Sequence, residues 1–95
     1  MKFEWDSGKE KRNIKIHGIN FDEAKEALED EFGLDDFDDS HSNFSEYRYS
    51  RIGLSRNGVL FAVYTIRGED GIYRIISARK AEKPEENLYW ESRYE

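Results

Sequence analysis

The sequence predicts an α+β domain built in the order β-α-α-β-β-β-α, an antiparallel sheet packed by helices. Three observations carry this reading. A capped amphipathic helical pattern runs over residues 20–33, two turn signals separate apolar runs between 47 and 79, and a proline opens an acidic turn close to the C-terminus. The 95 residues leave room for one compact core, so residues 1–95 are read as a single domain.

The elements follow in order. "FEW" at 3–5 suits a short strand, and Asp6 offers an N-cap for a helix running to about His17, with Gly18 as its stop. In "NFDEAKEALEDEFG", Asn20 caps and Glu23 supplies the capping-box spacing. Phe21, Ala24, Ala27, Leu28 and Phe32 then recur at helical intervals until Gly33. "LDDFDDSHSNFS" follows neither period and reads as an exposed loop. "YRYSRIGLS" reads as a strand, "RNG" as a tight hairpin, and "VLFAVYTI", apolar on both alternating faces, as a central strand. "RGEDG" turns the chain into "IYRIISAR". Pro84 in a first-turn position, acids beside it, and Leu88, Tyr89 and Tyr94 make "KPEENLYWESRY" the closing helix.

Composition narrows the function. No apolar run approaches the roughly 20 residues that span a bilayer, and "MKFEWDSGKEK" has no apolar signal core, so a cytoplasmic protein without a membrane partner is expected. The chain has no cysteine, which removes disulfides, thiolate catalysis and the common zinc sites. "DDFDD" beside His41 has the carboxylates of a calcium or magnesium site but lacks the glycine and terminal glutamate of an EF-hand loop. No metal and no cofactor are therefore expected. The net charge of -6 speaks against phosphate binding until it is divided along the chain. Residues 1–19 carry +2, 20–46 carry -10, 47–80 carry +5 and 81–95 carry -3, so a basic segment lies inside an acidic average.

The stretches "FEWDSGKEKRNIKIHGINFDEAKEAL", "EYRYSRIGLSRNGVLFAVYT" and "IYRIISARKA" resemble the BrnT family, the toxin half of a bacterial toxin–antitoxin pair. Its specific elements here are "F-x-W-D" followed by Lys9 and Asn13, "HG-I-x-F-x-E-A", "E-x-R" before "IG", and "IISARKA". The resemblance implies a RelE-like fold, metal-independent cleavage of RNA, and neutralisation by a cognate BrnA-like antitoxin, which alone would contact DNA. Three departures stand out. Ile16 precedes His17 where the family commonly has lysine, Ser40 precedes His41 where it often has arginine, and the C-terminal helix is acidic where the family is arginine-rich.

Metal-free RNA cleavage makes the 2′-hydroxyl the nucleophile, so the protein supplies a proton acceptor, a proton donor and cations around the phosphorus. His17, Glu46, Arg48 and Arg79 are the expected catalytic residues. Imidazole exchanges protons near neutral pH, Glu46 and Arg48 share a strand face, and Arg79 ends the neighbouring strand. Arg51, Arg74, Lys80 and Tyr89 are the expected RNA-binding set. Strict alternation puts Arg74 with Ile72, Ile76 and Ala78, and Arg79 with Tyr73, Ile75 and Ser77. Both sets are mainly apolar, so the face that meets the helices stays open. Structural roles compete at each position: His17 against a helix dipole, Glu46 and Arg48 in ion pairs, Arg79 on a carboxylate of the acidic helix, Tyr89 in the core. The rival function is a non-catalytic protein-interaction module that keeps the toxin fold.

Overall fold

The computed structural model describes residues 1–42 and 46–95, apart from the side chain of His41, so the metal reading of "DDFDD" with His41 lies partly outside the described residues. The strands are β1 (Phe3–Trp5), β2 (Leu34–Asp38), β3 (Arg48–Ser55), β4 (Gly58–Arg67) and β5 (Ile72–Lys80). The helices are α1 (Ser7–His17), α2 (Phe21–Glu29) and α3 (Lys83–Arg93), with a single 3₁₀ turn at Asp39–His41. The fold is α+β, as the sequence predicts, and has the RelE-like arrangement of a sheet served by helices. Among the described residues no helix is long and apolar enough to cross a membrane.

The strand order is β1-β5-β4-β3-β2. Two features differ from expectation. The sheet is mixed, because β1 pairs parallel with β5, Phe3 opposite Tyr73 and Trp5 opposite Ile75. The stretch read as an exposed loop also begins with a strand. β2 pairs antiparallel with β3, from Leu34 opposite Ile52 to Asp38 opposite Arg48. Its aspartates are poor strand formers, but they suit an edge strand, where charge discourages further pairing, and Asp35 meets Arg51 across the ladder.

α2 forms where its capping pattern predicts. The Asn20 side chain accepts a hydrogen bond from the Glu23 N–H at 2.9 Å, and Phe21, Ala24, Ala27 and Leu28 are fully buried. They pack with Ile19, Leu60, Ala62, Tyr64, Ile75 and Ala78 to make the main core. Each large side chain so buried contributes roughly 1.5–3 kcal/mol. The helix stops at Asp30 rather than at Gly33. The Asp30 carboxylate accepts the N–H of Phe32 and of Leu54, while Arg51 donates to the carbonyls of Leu28 and Asp30, so the end is sealed by residues distant in sequence. Phe32, expected on the buried stripe, is therefore left largely exposed.

α1 is held differently, for its one buried residue is Asn13. The Asn13 amide donates to Ile19 O at 2.9 Å and Ala78 O at 2.8 Å, and its carbonyl accepts the Ala78 N–H at 3.0 Å. β1 ends opposite Ile75, so this side chain continues the ladder along the edge of β5 and fastens α1 there. Gly53 brings α2 onto β3. A Cβ at this position would lie 2.2 Å from Ala27 O, closer than the backbone tolerates.

Two substitutions test this account by chemical denaturation. Asn13→Ala strips partners from buried backbone groups at Ala78 and Ile19, and is expected to cost about 2–4 kcal/mol. Gly53→Ala forces α2 away from the sheet and is expected to cost about 3 kcal/mol, whereas Gly68→Ala, with nothing within 4 Å of its Cβ, loses only the ease of its positive φ, about 1 kcal/mol.

Candidate active site

Strict alternation along β5 would put Ile75 and Ala78 on opposite faces, yet both are 1% exposed in the same core. A bulge resolves the conflict. Val63 faces Ser77 and the next residue, Tyr64, faces Ile75, so Ile76 is the extra residue of the longer strand. Beyond it the alternation is reset. Arg74, Ser77 and Arg79 consequently share the face turned away from the main core, whereas the sequence pattern divided them between two faces. Arg48 is on this same face, in line with Thr65 and Arg74.

Between α1 and that face lies a cleft of about 270 Å³, lined by Lys9, Arg12, Asn13, Ile16, His17, Arg48, Ile76 and Ser77. His17 ends α1, immediately before Gly18, whose left-handed backbone (φ 71°) turns the chain away. Arg48 opens β3 and reaches the cleft across β4. No carboxylate lines it. A larger cleft, about 570 Å³, is lined by Glu26, Glu29, Asp30 and Glu31 against one cation, Arg93, and so has the wrong sign for phosphate.

The four expected catalytic residues are thus partly assembled. His17 and Arg48 line one cleft. The Glu46 carboxylate accepts from Arg48 Nε at 2.9 Å and from Arg67 Nη2 at 3.3 Å. These bonds, Arg48 foremost, hold its carboxyl below the ordinary value against the opposing effect of burial, so the group is ionised except in acid. Arg79 stands two residues beyond Ser77 on the same face, roughly 7 Å along the strand. Its guanidinium makes a two-point bond to Glu85 of α3, at 2.8 and 3.0 Å, and lies 4.3 Å over the Phe61 ring. The acidic helix therefore takes up Arg79 in the ion pair that competed with its phosphate role.

Of the expected RNA-binding residues, Arg74 is paired with Glu4 at 3.5 Å, and Lys80 is exposed at the end of β5 on the side opposite Arg79. Arg51 and Tyr89 depart from expectation. Arg51 is consumed by Asp35, through two bonds of 2.9 and 2.6 Å, and by the last carbonyls of α2. Tyr89 is fully buried, with its hydroxyl donating to Asp30 at 2.5 Å; burial and that carboxylate push its ionisation up to about 12. Neither borders the cleft. Lys9 and Arg12 do, and sequence reasoning did not single them out for chemistry. A signal was present: positions 9, 12, 13, 16 and 17 fall on one helical face that is mainly polar where a core-facing stripe would be apolar.

A small RelE-like domain with a carboxylate-free cationic cleft is the class that fold and site define. A family model described as the ribonuclease toxin BrnT of a type II toxin–antitoxin system matches residues 5–85. The chain belongs to the BrnT family, whose members are the ribonuclease half of a pair with an antitoxin. No curated protein matches the chain.

The carboxylates that brace this architecture make it acid-sensitive. Burial works to raise the Asp35 carboxyl from 3.8, but hydrogen bonds from Arg51 and Tyr64 outweigh it and the group stays lower; Asp30 behaves likewise through Tyr89, Leu54 and Phe32. A carboxyl depressed on folding stabilises the native state above its unfolded value and loses that contribution as pH falls through the folded one. Urea midpoints should hold steady from pH 7 to about 5 and fall steeply below about pH 4. Asp35→Asn should lower the pH 7 midpoint and flatten the acid slope.

Proposed function

We propose that the chain is a metal-independent endoribonuclease acting as the toxin of its pair. The observation that carries this reading is the cleft itself, lined on an otherwise acidic chain by Lys9, Arg12, His17 and Arg48, the last of which is bonded to the Glu46 carboxylate behind it. Such a site attracts the negative charge of a phosphodiester.

In this reading the 2′-hydroxyl of RNA loses its proton to the Glu46 carboxylate, which is already in the basic state, and its oxygen attacks the adjacent phosphorus. The 5′-oxygen leaves with a proton from the His17 imidazolium, giving a 2′,3′-cyclic phosphate and a free 5′-hydroxyl. Arg48 stabilises the charge that builds on the phosphoryl oxygens. Arg79 contributes standing positive charge from the neighbouring rim, and Arg74 and Lys80 guide flanking backbone toward the site. The substrate is RNA, and the neutralising partner is a BrnA-like antitoxin that covers the basic face and carries any DNA contacts of the complex.

The test is cleavage of a mixed single-stranded RNA in the presence of EDTA. Wild-type protein should cut it and leave cyclic phosphate ends. His17→Ala is expected to slow cutting by about 10²- to 10⁴-fold, as for loss of a positioned proton donor. Arg48→Ala should cost about 10²- to 10³-fold, as for loss of a transition-state anion contact. Arrest by EDTA would defeat the metal-free mechanism. The rival reading, a non-catalytic interaction module, draws on the engagement of Arg48 and Arg79 by Glu46 and Glu85. It predicts that induced expression leaves bacterial growth unchanged, whereas the ribonuclease reading predicts arrest that His17→Ala relieves.

A further inference from the structure

Nearly every arginine of this protein is neutralised internally. Arg48 and Arg67 share Glu46, Arg51 holds Asp35, Arg56 holds Glu26, Arg74 meets Glu4, and Arg79 holds Glu85. Arg93 stacks between Phe32 and Trp90 beside the Tyr89 hydroxyl. Arg12 is the contrast, for among the described residues its guanidinium has no ion pair, hydrogen bond or ring contact, although the chain holds 21 carboxylates against 15 lysines and arginines. Lys9, one turn earlier on α1 and lining the same cleft, likewise has no ion pair among the described residues.

Their placement costs stability in the free protein. Like charges three apart on a helix repel by roughly 0.2–0.5 kcal/mol, and a lysine in the first turn opposes the positive end of the helix dipole. The Asn13 amide prevents α1 from rolling to relieve this. With its carbonyl and amide both bonded to Ala78, the face carrying positions 9, 12, 16 and 17 is fixed toward the sheet. The result is a pair of uncompensated cations on an anchored helix, lining the cleft that His17 and Arg48 also line.

We propose that Lys9 and Arg12 form a second phosphate subsite, which takes the backbone phosphate next to the scissile one in single-stranded RNA and sets how tightly substrate binds rather than how fast it reacts. The inference rests on the ribonuclease reading above and assigns to it residues that the proposed chemistry does not use. Arg12 offers a two-pronged donor edge and Lys9 a mobile point charge, a combination suited to a diester whose position varies slightly with sequence. Ile16 and Ile76 supply an apolar wall against which the intervening ribose packs.

The test pairs binding with turnover. Affinity for a fluorescein-labelled, fully 2′-O-methyl RNA 12-mer, which cannot be cut, is measured by anisotropy across a salt series; cleavage of the matching unmodified RNA is measured alongside. Lys9→Ala and Arg12→Ala should each weaken binding by about three- to tenfold and lower the slope of log affinity against log salt by about 0.7, the value for one single-strand phosphate contact. KM should rise in parallel, with kcat within about twofold of wild type. Lys11→Ala removes the same charge from the same helix outside the cleft, and should leave the slope unchanged. Arg12→Lys should recover part of the affinity. Melting curves matched to wild type show that each variant is folded. If wild type binds and cuts RNA while Lys9→Ala and Arg12→Ala bind with its affinity and slope, the subsite is refuted and the ribonuclease reading stands. If wild type neither binds nor cuts, both fall.

Discussion

β1 is three residues long, so β5 loses its ladder partner after Ile75, and at Ala78 the Asn13 carboxamide supplies the missing donor and acceptor. The same amide nitrogen reaches Ile19 O, the residue that leads into α2. One side chain thereby joins the sheet edge, the helix that bears His17 and the start of the helix that fills the core. Its other residues contribute almost no buried apolar surface, so α1 is held by this amide and by Glu10, whose carboxylate accepts the Phe21 N–H at 2.8 Å. A hydrogen-bonded amide has directional demands that an apolar contact lacks, so it fixes the rotation of α1 as well as its position. The cleft depends on that rotation, because Lys9, Arg12, Ile16 and His17 all descend from it.

Opposite the cleft, order is kept by a different device. Asp30 and Asp35 gather hydrogen bonds from elements far apart in sequence: Asp30 from Phe32, Leu54 and Tyr89, and Asp35 from Arg51 and Tyr64. They join α2, the β2–β3 edge and α3 without enlarging the apolar core. Such a scheme suits a chain with 37% hydrophobic and 38% charged residues, in which paired polar groups must do part of what packing does elsewhere. It also explains why most arginines are spent on structure.

The bulge at Ile76 connects the core to that place. By adding one residue to β5 it keeps Tyr73, Ile75 and Ala78 toward the main core and lines Arg74, Ser77 and Arg79 along the outer face. The motif "RIISARKA" is thus a strand that changes phase midway. Arg74 and Arg79 belong to a surface that its apolar middle supports.

Much of this was legible in the sequence because it is local. Capping at Asp6 and Asn20, the Gly18 stop, the α2 stripe, the hairpins and the proline-led last helix depend on residues within a few positions of one another. The family likeness was also visible in the order of short motifs. What local pattern could not reveal was set by pairing across the fold. The aspartate-rich β2 forms because β3 offers it a ladder, α2 ends early because Arg51 and Asp30 close it, and the faces of Arg74 and Arg79 follow from an extra residue seen only against β4. Lys9 and Arg12 line the cleft for the same reason: a helix's own period tells which residues share a face, and tertiary contacts such as that at Asn13 decide where that face points.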